Sequence, residues 1–338
     1  MVNSHTDAST KLHEAFSQQF LIGAAVNPKT LVTQRDLLTE HFNSITAENE
    51  MKFESLHPAE DRYTFENADR LIAFAKANGM AVRGHTLVWH NQTPNWMFED
   101  HTGGAVIRET LLARMKSHIE TVVARYKGCI YAWDVVNEAV SDSGGELLRS
   151  SKWLDIAGED FIAKAFEYAH AADPEAMLFY NDYNESIPEK REKIYALVKS
   201  LKEKDVPIHG IGLQAHWNLE HPSIDDIRQA IERYASLGVK LHITELDVSV
   251  FQHDDRRTDL LAPTKEMLVR QAERYKQFFQ LFKEYSECIT SVTFWGAADD
   301  YTWLDNFPVK GRKNWPFIFN MAHKPKPSYW DILDAARY

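Results

Sequence analysis

The sequence predicts an α/β protein built as one eight-stranded barrel. Eight short apolar runs alternate with amphipathic helical segments along the 338 residues, and such alternation is typical of a parallel sheet covered by helices. Eight is also the number of strands that closes a (β/α)8, or TIM, barrel. An open doubly wound sheet is the alternative, but it usually carries a Gly-x-Gly-x-x-Gly turn after its first strand. The first apolar run, FLIGAAVNP, lacks that turn.

The predicted strands are short and mostly apolar, which suits strands that are buried on both faces. They cover residues 20–26, 42–46, 81–84, 130–136, 176–180, 208–213, 239–244 and 289–295. Apolar residues at helical spacing predict helices over residues 67–77, 107–125, 161–171, 190–201, 224–236 and 265–285, and a closing helix near Pro327. Glycines directly after two of these segments, Gly79 and Gly238, indicate where those helices end.

A single barrel domain is expected over residues 1–338. Hydrophobic residues make up 44% of the chain and charged residues 26%, which is the composition of a globular protein. No linker, repeat or low-complexity tract divides the chain. The length alone would suggest two domains of ~150 residues, but α/β barrels are often longer than that as one domain.

The charge and the N-terminal residues limit the class of protein. With 38 basic and 49 acidic residues the net charge is −11, which argues against nucleic-acid binding because such a surface repels phosphate backbones. No run of ~18 apolar residues predicts a membrane span. The first sixteen residues, MVNSHTDASTKLHEAF, lack the basic and apolar regions of a signal peptide. A cytoplasmic location is therefore expected, with a secreted mature form as the alternative.

Aromatic residues are unusually frequent. Nine Trp, 13 Tyr and 18 Phe make up 12% of the chain. They fit either a large core or a sugar-binding site, because the apolar faces of sugars stack on aromatic rings as other apolar surfaces do. The two cysteines are too few for a disulfide framework.

Polar side chains crowd the carboxyl ends of the predicted strands, where functional residues lie in an α/β barrel. In strand order they are Glu48, Asn49 and Lys52 after the second, His85 after the third, Asn137 and Glu138 at the fourth, Asn181, Asp182 and Tyr183 after the fifth, Gln214 and His216 after the sixth, Thr244 and Glu245 at the seventh and Trp295 at the eighth. A barrel that is only a scaffold does not need this coincidence, so we expect a functional site at this mouth.

Glu138 and Glu245 are the two strand-end residues that suggest a reaction. A closed barrel can bring both across one mouth, and two facing carboxyls are what glycoside hydrolysis needs. One carboxyl stays protonated to donate to the leaving oxygen, and the other stays ionised to attack or to activate water. Their surroundings must therefore move the two pKa values apart. A lone Glu is more often exposed, but both of these follow apolar strands.

Seven stretches at these strand ends resemble motifs of glycoside hydrolase family 10, the retaining endo-β-1,4-xylanases on (β/α)8 barrels. They are ENEMK at 48–52, RGHTLVWH at 83–90, WDVVNEA at 133–139, NDYN at 181–184, GLQAHW at 212–217, GVKLHITELDV at 238–248, and TFWG with DDYTWLD in the eighth-strand region. The resemblance covers nearly the whole chain, from Gly23 to the closing helix.

The resemblance implies an endo-1,4-β-xylanase that works by double displacement without a cofactor on xylan or xylo-oligosaccharides. It implies Glu138 as the general acid/base, Glu245 as the nucleophile and Asp247 as a residue that supports the nucleophile. The implied substrate-binding residues are Glu48, Asn49, Lys52, His85, Trp89, Asn137, Tyr183, Gln214, His216, Trp295 and Trp303. Among these, Tyr183 is placed on the aglycone side, and Asn137 at the sugar 2-hydroxyl.

Other functions are weighed against this one. Fifteen histidines invite a metal-dependent reaction, yet no His-x-His pair ends a strand, so no catalytic metal is expected. A β-1,4-glucanase on the same barrel stays open, because xylose and glucose differ by one hydroxymethyl group. A non-catalytic sugar-binding relative is the third possibility, which loss of Glu138 or Glu245 would indicate. The sequence does not indicate an oligomeric state.

Overall fold

A computed structural model describes residues 10–337, which form a closed barrel of parallel strands surrounded by helices. The strands in this range are β1 (Leu21–Val26), β2 (Ser44–Ala47), β3 (Ala81–Trp89), β4 (Ala132–Asn137), β5 (Met177–Asp182), β6 (Gly210–Leu213), β7 (His216–Asn218), β8 (Lys240–Ser249) and β9 (Ile289–Phe294). Parallel pairing of β1 with β9 and of β6 with β8 closes a ring of eight strands. The predicted (β/α)8 barrel is confirmed.

Two strands extend further than the apolar runs predicted, and one strand was not predicted. β3 continues past residue 84 to Trp89, so His85 lies within a strand and not after it. β8 continues past residue 244 to Ser249 in the same way. The additional strand, β7, pairs with the end of β8 and places His216 opposite Asp247. Three residues are too few to show a strand period in the sequence.

Helices cover the outside of the barrel. In the described part of the chain they are α1 (Leu12–Ala15), α2 (Thr30–Thr33), α3 (Arg35–His41), α4 (Phe53–Leu56), α5 (Glu66–Ala77), α6 (Arg108–Arg125), α7 (Lys152–Ala157), α8 (Phe161–Ala172), α9 (Pro188–Glu203), α10 (Ile224–Ala235), α11 (Lys265–Glu284) and α12 (Pro327–Arg337), with 3-10 helices at Asn95–Met97 and Trp303–Asp305. The predicted helices correspond to α5, α6 and α8–α12. The other helices have four to seven residues, too few for a periodic pattern.

The ends of these helices follow local signals in the sequence. The hydroxyls of Ser223 and Thr264 accept backbone N–H groups at the starts of α10 and α11, and Pro188 occupies the first position of α9. Gly79 and Gly238 have φ of +63° and +68° just beyond α5 and α10. Both predicted stop signals are confirmed, because this left-handed backbone favours glycine.

A buried ion pair lies inside the barrel. Arg83 of β3 is 1% exposed and donates from both terminal nitrogens to the carboxylate of Asp134 on β4. Its Nε donates to Nδ1 of His242 on β8 at 3.1 Å, and the His242 ring stacks on Phe179 with ring centroids 4.0 Å apart. Charged groups removed from water need such complete partners. Arg83 therefore connects strands from different parts of the barrel wall.

The two ends of the described chain meet on the outside of the barrel. α1 packs against α12, and the Tyr329 hydroxyl donates to the Thr10 carbonyl oxygen at 2.8 Å. Within residues 10–337 no helix has the length and apolar character needed to cross a membrane. The expected cytoplasmic location was drawn from residues 1–16, of which 1–9 lie outside the described residues, and it stays a prediction.

Gly84 is packed so closely that any side chain would disturb the barrel wall. It pairs with Trp133 in the β3–β4 ladder, and a Cβ atom at residue 84 would lie 2.2 Å from Trp133 Cε3. Because the Trp133 ring is buried, it has no free space to move into. We expect Gly84→Ala to lower the free energy of unfolding by about 3 kcal/mol, the upper range for an overpacked core, as measured by urea denaturation.

Gly145→Ala is the matched control for this substitution. A Cβ atom at Gly145 would meet no heavy atom within 4 Å, so this variant should unfold at the same urea concentration as the unaltered protein. If Gly84→Ala also left the urea midpoint unchanged, the close packing against Trp133 would be wrong.

Candidate active site

The predicted site residues lie together at the carboxyl ends of the barrel strands. Glu48, Asn49 and Lys52 follow β2, His85 and Trp89 lie in β3, Asn137 ends β4, Glu138 follows it, Tyr183 follows β5, Gln214 follows β6, His216 begins β7, Glu245 lies in β8, Trp295 follows β9 and Trp303 begins the second 3-10 helix. Glu138 and Glu245 are the centres around which the others are arranged.

Glu245 is 5% exposed, and its carboxylate is hydrogen-bonded at both oxygens. Asn181 Nδ2 donates to Oε1 at 2.9 Å, and His216 Nε2 donates to Oε2 at 2.9 Å. Burial by itself raises the pKa of a carboxyl group. Here the hydrogen bond and charge of His216, together with the charge of His85, outweigh burial and hold the pKa of Glu245 below its ordinary value. Glu245 is therefore the ionised carboxylate of the pair.

His216 carries a positive charge because carboxylates bind both of its ring nitrogens. Nδ1 donates to Asp247 Oδ2 at 3.0 Å, and Nε2 donates to Glu245. Burial lowers the pKa of a histidine, but the two carboxylates raise the pKa of His216 well above 6.5. Trp303 Nε1 donates to the same Asp247 oxygen at 2.8 Å. Asp247 thus contacts the histidine that binds Glu245.

The Glu138 carboxyl is 9% exposed and has only uncharged hydrogen-bond donors. Trp89 Nε1 donates to Oε2 at 2.7 Å, and Gln214 Nε2 donates to Oε1 at 2.9 Å. Burial raises the pKa of Glu138, the Gln214 hydrogen bond lowers it, and the negative charge of Glu245 raises it again. The net pKa lies above the ordinary value, so Glu138 holds a proton more readily than Glu245 does.

Amide side chains connect the two carboxyls. Asn181 Nδ2, which binds Glu245, also donates to Asn137 Oδ1 at 2.9 Å. Gln214 Nε2, which binds Glu138, lies 3.3 Å from the same Asn137 oxygen. Because this oxygen accepts from the protein, the amide nitrogen of Asn137 is the end that can donate to a ligand hydroxyl.

Lys52 and Trp89 form one wall of the site. Lys52 Nζ lies 5.1 Å from the Trp89 ring centroid and donates to Asn49 Oδ1 at 2.9 Å and to Gln92 Oε1 at 3.0 Å. Burial lowers the pKa of Lys52, although nearby carboxylates, including Glu48, act in the opposite direction. This wall therefore carries an ammonium group and the amides of Asn49 and Gln92.

His85 is oriented from inside the barrel. Its Nδ1 bonds to Asp134 Oδ2 at 2.8 Å, and the same carboxylate is held by Arg83. The rings of His85 and Trp295 are nearly perpendicular with centroids 5.3 Å apart, and His85 Nδ1 lies 3.9 Å from Glu245 Oε1. Since Nδ1 donates a hydrogen bond to Asp134, Nε2 is the ring nitrogen that stays available to a ligand.

Tyr183 is held at the edge of the site by charged groups. Arg149 Nη2 donates to its hydroxyl oxygen at 2.8 Å, and the hydroxyl donates to Asp142. Lys190 Nζ lies 4.6 Å from the Tyr183 ring centroid. Arg149 also donates from Nε to the Glu138 carbonyl oxygen at 3.0 Å, so Tyr183 and Glu138 share a partner.

Asn181, Asp134 and Gln92 contact site residues and were not among the predicted binding residues. The strand-end rule did mark Asn181, which directly follows the fifth apolar run, but it assigned the residue no role. Asp134 is an acid inside an apolar strand, and a buried acid requires a partner, which is a usable signal. Gln92 lies in a loop after β3 and carries no signal in the sequence.

Among residues 10–337 no group of three or more His, Cys, Asp or Glu side chains is placed to hold a metal ion. The two histidines at the site, His85 and His216, are bound to carboxylates through their ring nitrogens.

We expect His216 to keep both ring protons at neutral pH, because Asp247 and Glu245 raise its pKa. In NMR spectra of ¹⁵N-histidine-labelled protein, both ring N–H signals of His216 should persist as the pH rises past 6.5. Asp247→Asn removes a neighbouring charge and should lower this pKa, whereas Asp225→Asn on the outer helix α10 should not change it. Deprotonation of His216 near pH 6.5 in the unaltered protein would contradict the assigned charge.

Known proteins resemble this chain over almost its full length. The sequence profile of Glycosyl hydrolase family 10 matches residues 11–335. An endo-1,4-beta-xylanase of Geobacillus stearothermophilus is 64% identical over 323 residues, which cover 96% of this chain and 98% of the relative. Endo-1,4-beta-xylanase B of Paenibacillus barcinonensis is 60% identical over 322 residues, which cover 95% of this chain and 97% of the relative.

Solved structures share the same fold. Xylanase XynB from Paenibacillus barcinonensis, in complex with a conduramine derivative, has a TM-score of 0.95 at 59% identity and covers 97% of this chain and 99% of that one. A mutant in complex with xylotriose has a TM-score of 0.95 at 50% identity and covers 96% and 99%. The resemblance found in the sequence is confirmed, and the chain belongs to glycosyl hydrolase family 10.

Proposed function

We propose that this protein is a retaining endo-1,4-β-xylanase that hydrolyses internal β-1,4 bonds of xylan and xylan-derived oligosaccharides. The observation that carries the proposal is the pair Glu138 and Glu245, two buried carboxyls at one barrel mouth with pKa values moved in opposite directions. Glycoside hydrolysis needs this division between an acid and an ionised carboxylate. Membership of family 10 and relatives named endo-1,4-beta-xylanase support the same conclusion.

In the first step, Glu245 attacks the anomeric carbon while Glu138 gives its proton to the glycosidic oxygen. The bond between the anomeric carbon and the glycosidic oxygen breaks. The leaving sugar departs with the proton from Glu138, and the retained sugar is joined to Glu245 as an ester. This geometry requires the two carboxyls to lie ~5–5.5 Å apart. His216 and Asn181, which bind the two Glu245 oxygens, orient the attacking carboxylate.

In the second step, Glu138 acts as a base. It takes a proton from water, the water oxygen attacks the anomeric carbon, and Glu245 leaves as a carboxylate. While the ester exists, Glu245 carries no charge. Since that charge raises the pKa of Glu138, its loss makes Glu138 easier to ionise, which suits the change from acid to base.

The remaining site residues are proposed to bind the sugar chain. The Asn137 amide nitrogen donates to the sugar 2-hydroxyl, a hydrogen bond that can strengthen in the transition state. Hydroxyl groups are bound by Glu48, Asn49, Lys52, His85 and Gln214, and rings are contacted by Trp89, Trp295, Trp303 and Tyr183. These residue types supply hydrogen-bonding partners for hydroxyl groups and aromatic surfaces on which the apolar faces of a sugar can stack.

Space for a longer chain lies beside His216, the residue that binds Glu245. A cavity of about 560 Å³ opens beside His216 and is lined in part by Asn184, Trp217 and Asn218. Internal cleavage needs room for sugar units on both sides of the bond, and this cavity supplies part of it. The complex of a relative with xylotriose supports xylose as the sugar unit, whereas nothing favours the glucanase or the non-catalytic alternative.

We expect the β-anomer to appear first when unsubstituted xylo-oligosaccharides are hydrolysed, because double displacement retains the configuration. Anomeric protons followed by NMR measure this outcome. Glu245→Ala removes the nucleophile and should lower the rate by more than about 10⁴-fold, the order found when a nucleophile is deleted. Glu220→Ala, on an exposed loop after β7, is the matched control and should leave the rate unchanged.

Two results would count against this function in different ways. The α-anomer appearing first would show single displacement, and the carboxyls would then have to lie ~6.5–9.5 Å apart. Cleavage of cello-oligosaccharides while xylo-oligosaccharides survive would leave the chemistry in place and overturn the proposed substrate.

The pH dependence of kcat/KM should be bell-shaped, with limbs on either side of 4.5, the ordinary carboxyl value. Activity is lost as the pH falls through the lowered pKa of Glu245, and as the pH rises through the raised pKa of Glu138. Gln214→Met removes a donor that favours ionised Glu138, so the alkaline limb should move to higher pH. An alkaline limb that stays in place or moves down would contradict the assignment of Glu138 as the acid.

A further inference from the structure

The main chain at Glu138 adopts a conformation that residues other than glycine rarely take. Its φ angle is +57°, in the left-handed region where a Cβ atom crowds the backbone. Hydrogen bonds from Trp89 and Gln214 orient the carboxyl group, but they do not fix this backbone angle. The position of the acidic proton therefore depends on the groups that hold residues 138–140.

Two cations hold this stretch through its carbonyl oxygens. Arg149 Nε donates to the Glu138 oxygen at 3.0 Å, and Lys190 Nζ donates to the Val140 oxygen at 3.1 Å. Three more hydrogen bonds involve the main chain of this stretch. Glu138 N donates to the Asn181 carbonyl oxygen at 2.9 Å, Val140 N donates to the Tyr180 hydroxyl at 2.9 Å, and the Ala139 carbonyl oxygen accepts from Arg149 N at 2.7 Å. The main chain on both sides of Ala139 is thus fixed by positive side chains.

Carboxylates fix the two cations in turn. Lys190 is 1% exposed, and besides the Val140 oxygen its ammonium faces Asp142 Oδ1 at 2.7 Å and Asp182 Oδ1 at 3.1 Å, which accounts for its three protons. Arg149 Nη2 donates to Asp142 Oδ2 at 2.8 Å. Burial raises the pKa of Asp142, but hydrogen bonds led by Lys190 lower it to about 2. Asp142 therefore stays ionised and joins the two cations into one unit.

We propose that Arg149 and Lys190 are positioning residues for the acid/base, and that they act by fixing the main chain of Glu138. Neither side chain supplies or accepts a proton in the reaction. The inference rests on the proposed function, because it takes Glu138 to be the group that protonates the leaving oxygen. Arg149 also donates to the Tyr183 hydroxyl. The same cation therefore fixes the position of the acid relative to an aromatic ring on the aglycone side.

The test compares two aryl β-xylobiosides that differ only in their leaving group. Dinitrophenolate departs without protonation, whereas phenolate needs the proton of Glu138. Arg149→Lys keeps the charge but loses the Nε donor, and Lys190→Met removes the ammonium. Each should lower kcat/KM for the phenyl substrate by about 10- to 100-fold, as a displacement of about 1 Å does, and for the dinitrophenyl substrate by less than about 3-fold.

Two further variants set the scale of the experiment. Lys193→Met is the matched control, because Lys193 lies on the same helix α9 and donates to the Gly144 oxygen of the same loop at 2.6 Å. Its contact lies outside residues 138–140, so both rates should stay unchanged. Glu138→Ala removes the acid itself. Its loss of kcat/KM on the phenyl substrate relative to the dinitrophenyl substrate sets the upper limit for the effect of a positioning residue.

The outcomes separate a positioning role from a general structural one. Equal losses on both substrates, or no loss on either, in folded variants would overturn the proposal. Circular dichroism checks folding, and if buried Lys190→Met does not fold, Arg149→Lys decides the question alone, since the Arg149 side chain is partly exposed. An unaltered protein that cleaves neither xylobioside would overturn the proposed function itself, and this inference with it.

Discussion

Two carboxyl groups are buried at one mouth of the barrel, and the surrounding structure keeps their protonation states different. Burial alone would push both toward the neutral form, and the charge on one discourages the charge on the other. Glu245 avoids this by binding a charged histidine, whereas Glu138 receives only amide and indole donors. The division of roles thus follows mainly from His216, which Asp247 keeps charged, with a further contribution from the charge of His85.

The interior of the barrel supports this arrangement through a buried ion pair. A buried ion pair such as Arg83 with Asp134 often contributes less than apolar packing of the same volume. Here the pair ends at His85, whose Nδ1 is bound by Asp134 and lies 3.9 Å from Glu245. The ion pair therefore extends the site into the core, where it fixes the orientation of the His85 ring near the barrel mouth.

The fold could be predicted because strands buried on both faces are apolar runs, and the helices between them are long enough to show a period. Glu138 and Glu245 could be predicted from their places at strand ends, while their separate roles came from the resemblance. Asp134 connects Arg83 to His85, but the alternation of side chains along a strand could not predict which way it faces. The pairing of β4 with β5 shifts register between Asp134 and Val136, and such a shift changes which side chains face inward. Lys190 had no signal at all, because a lysine on an outer helix normally lies in water.

Tyr329 contacts Thr10, and α1 packs on α12. The two ends of the described chain are therefore adjacent, which bears on the order in which the strand–helix units can be connected. A ring of eight strand–helix units has no intrinsic first unit, and here the first and last described helices, α1 and α12, are neighbours in space. Domains with adjacent ends tolerate circular permutation when the new opening lies in an exposed loop. The same barrel, with both carboxyls at its mouth, is therefore compatible with a different starting residue.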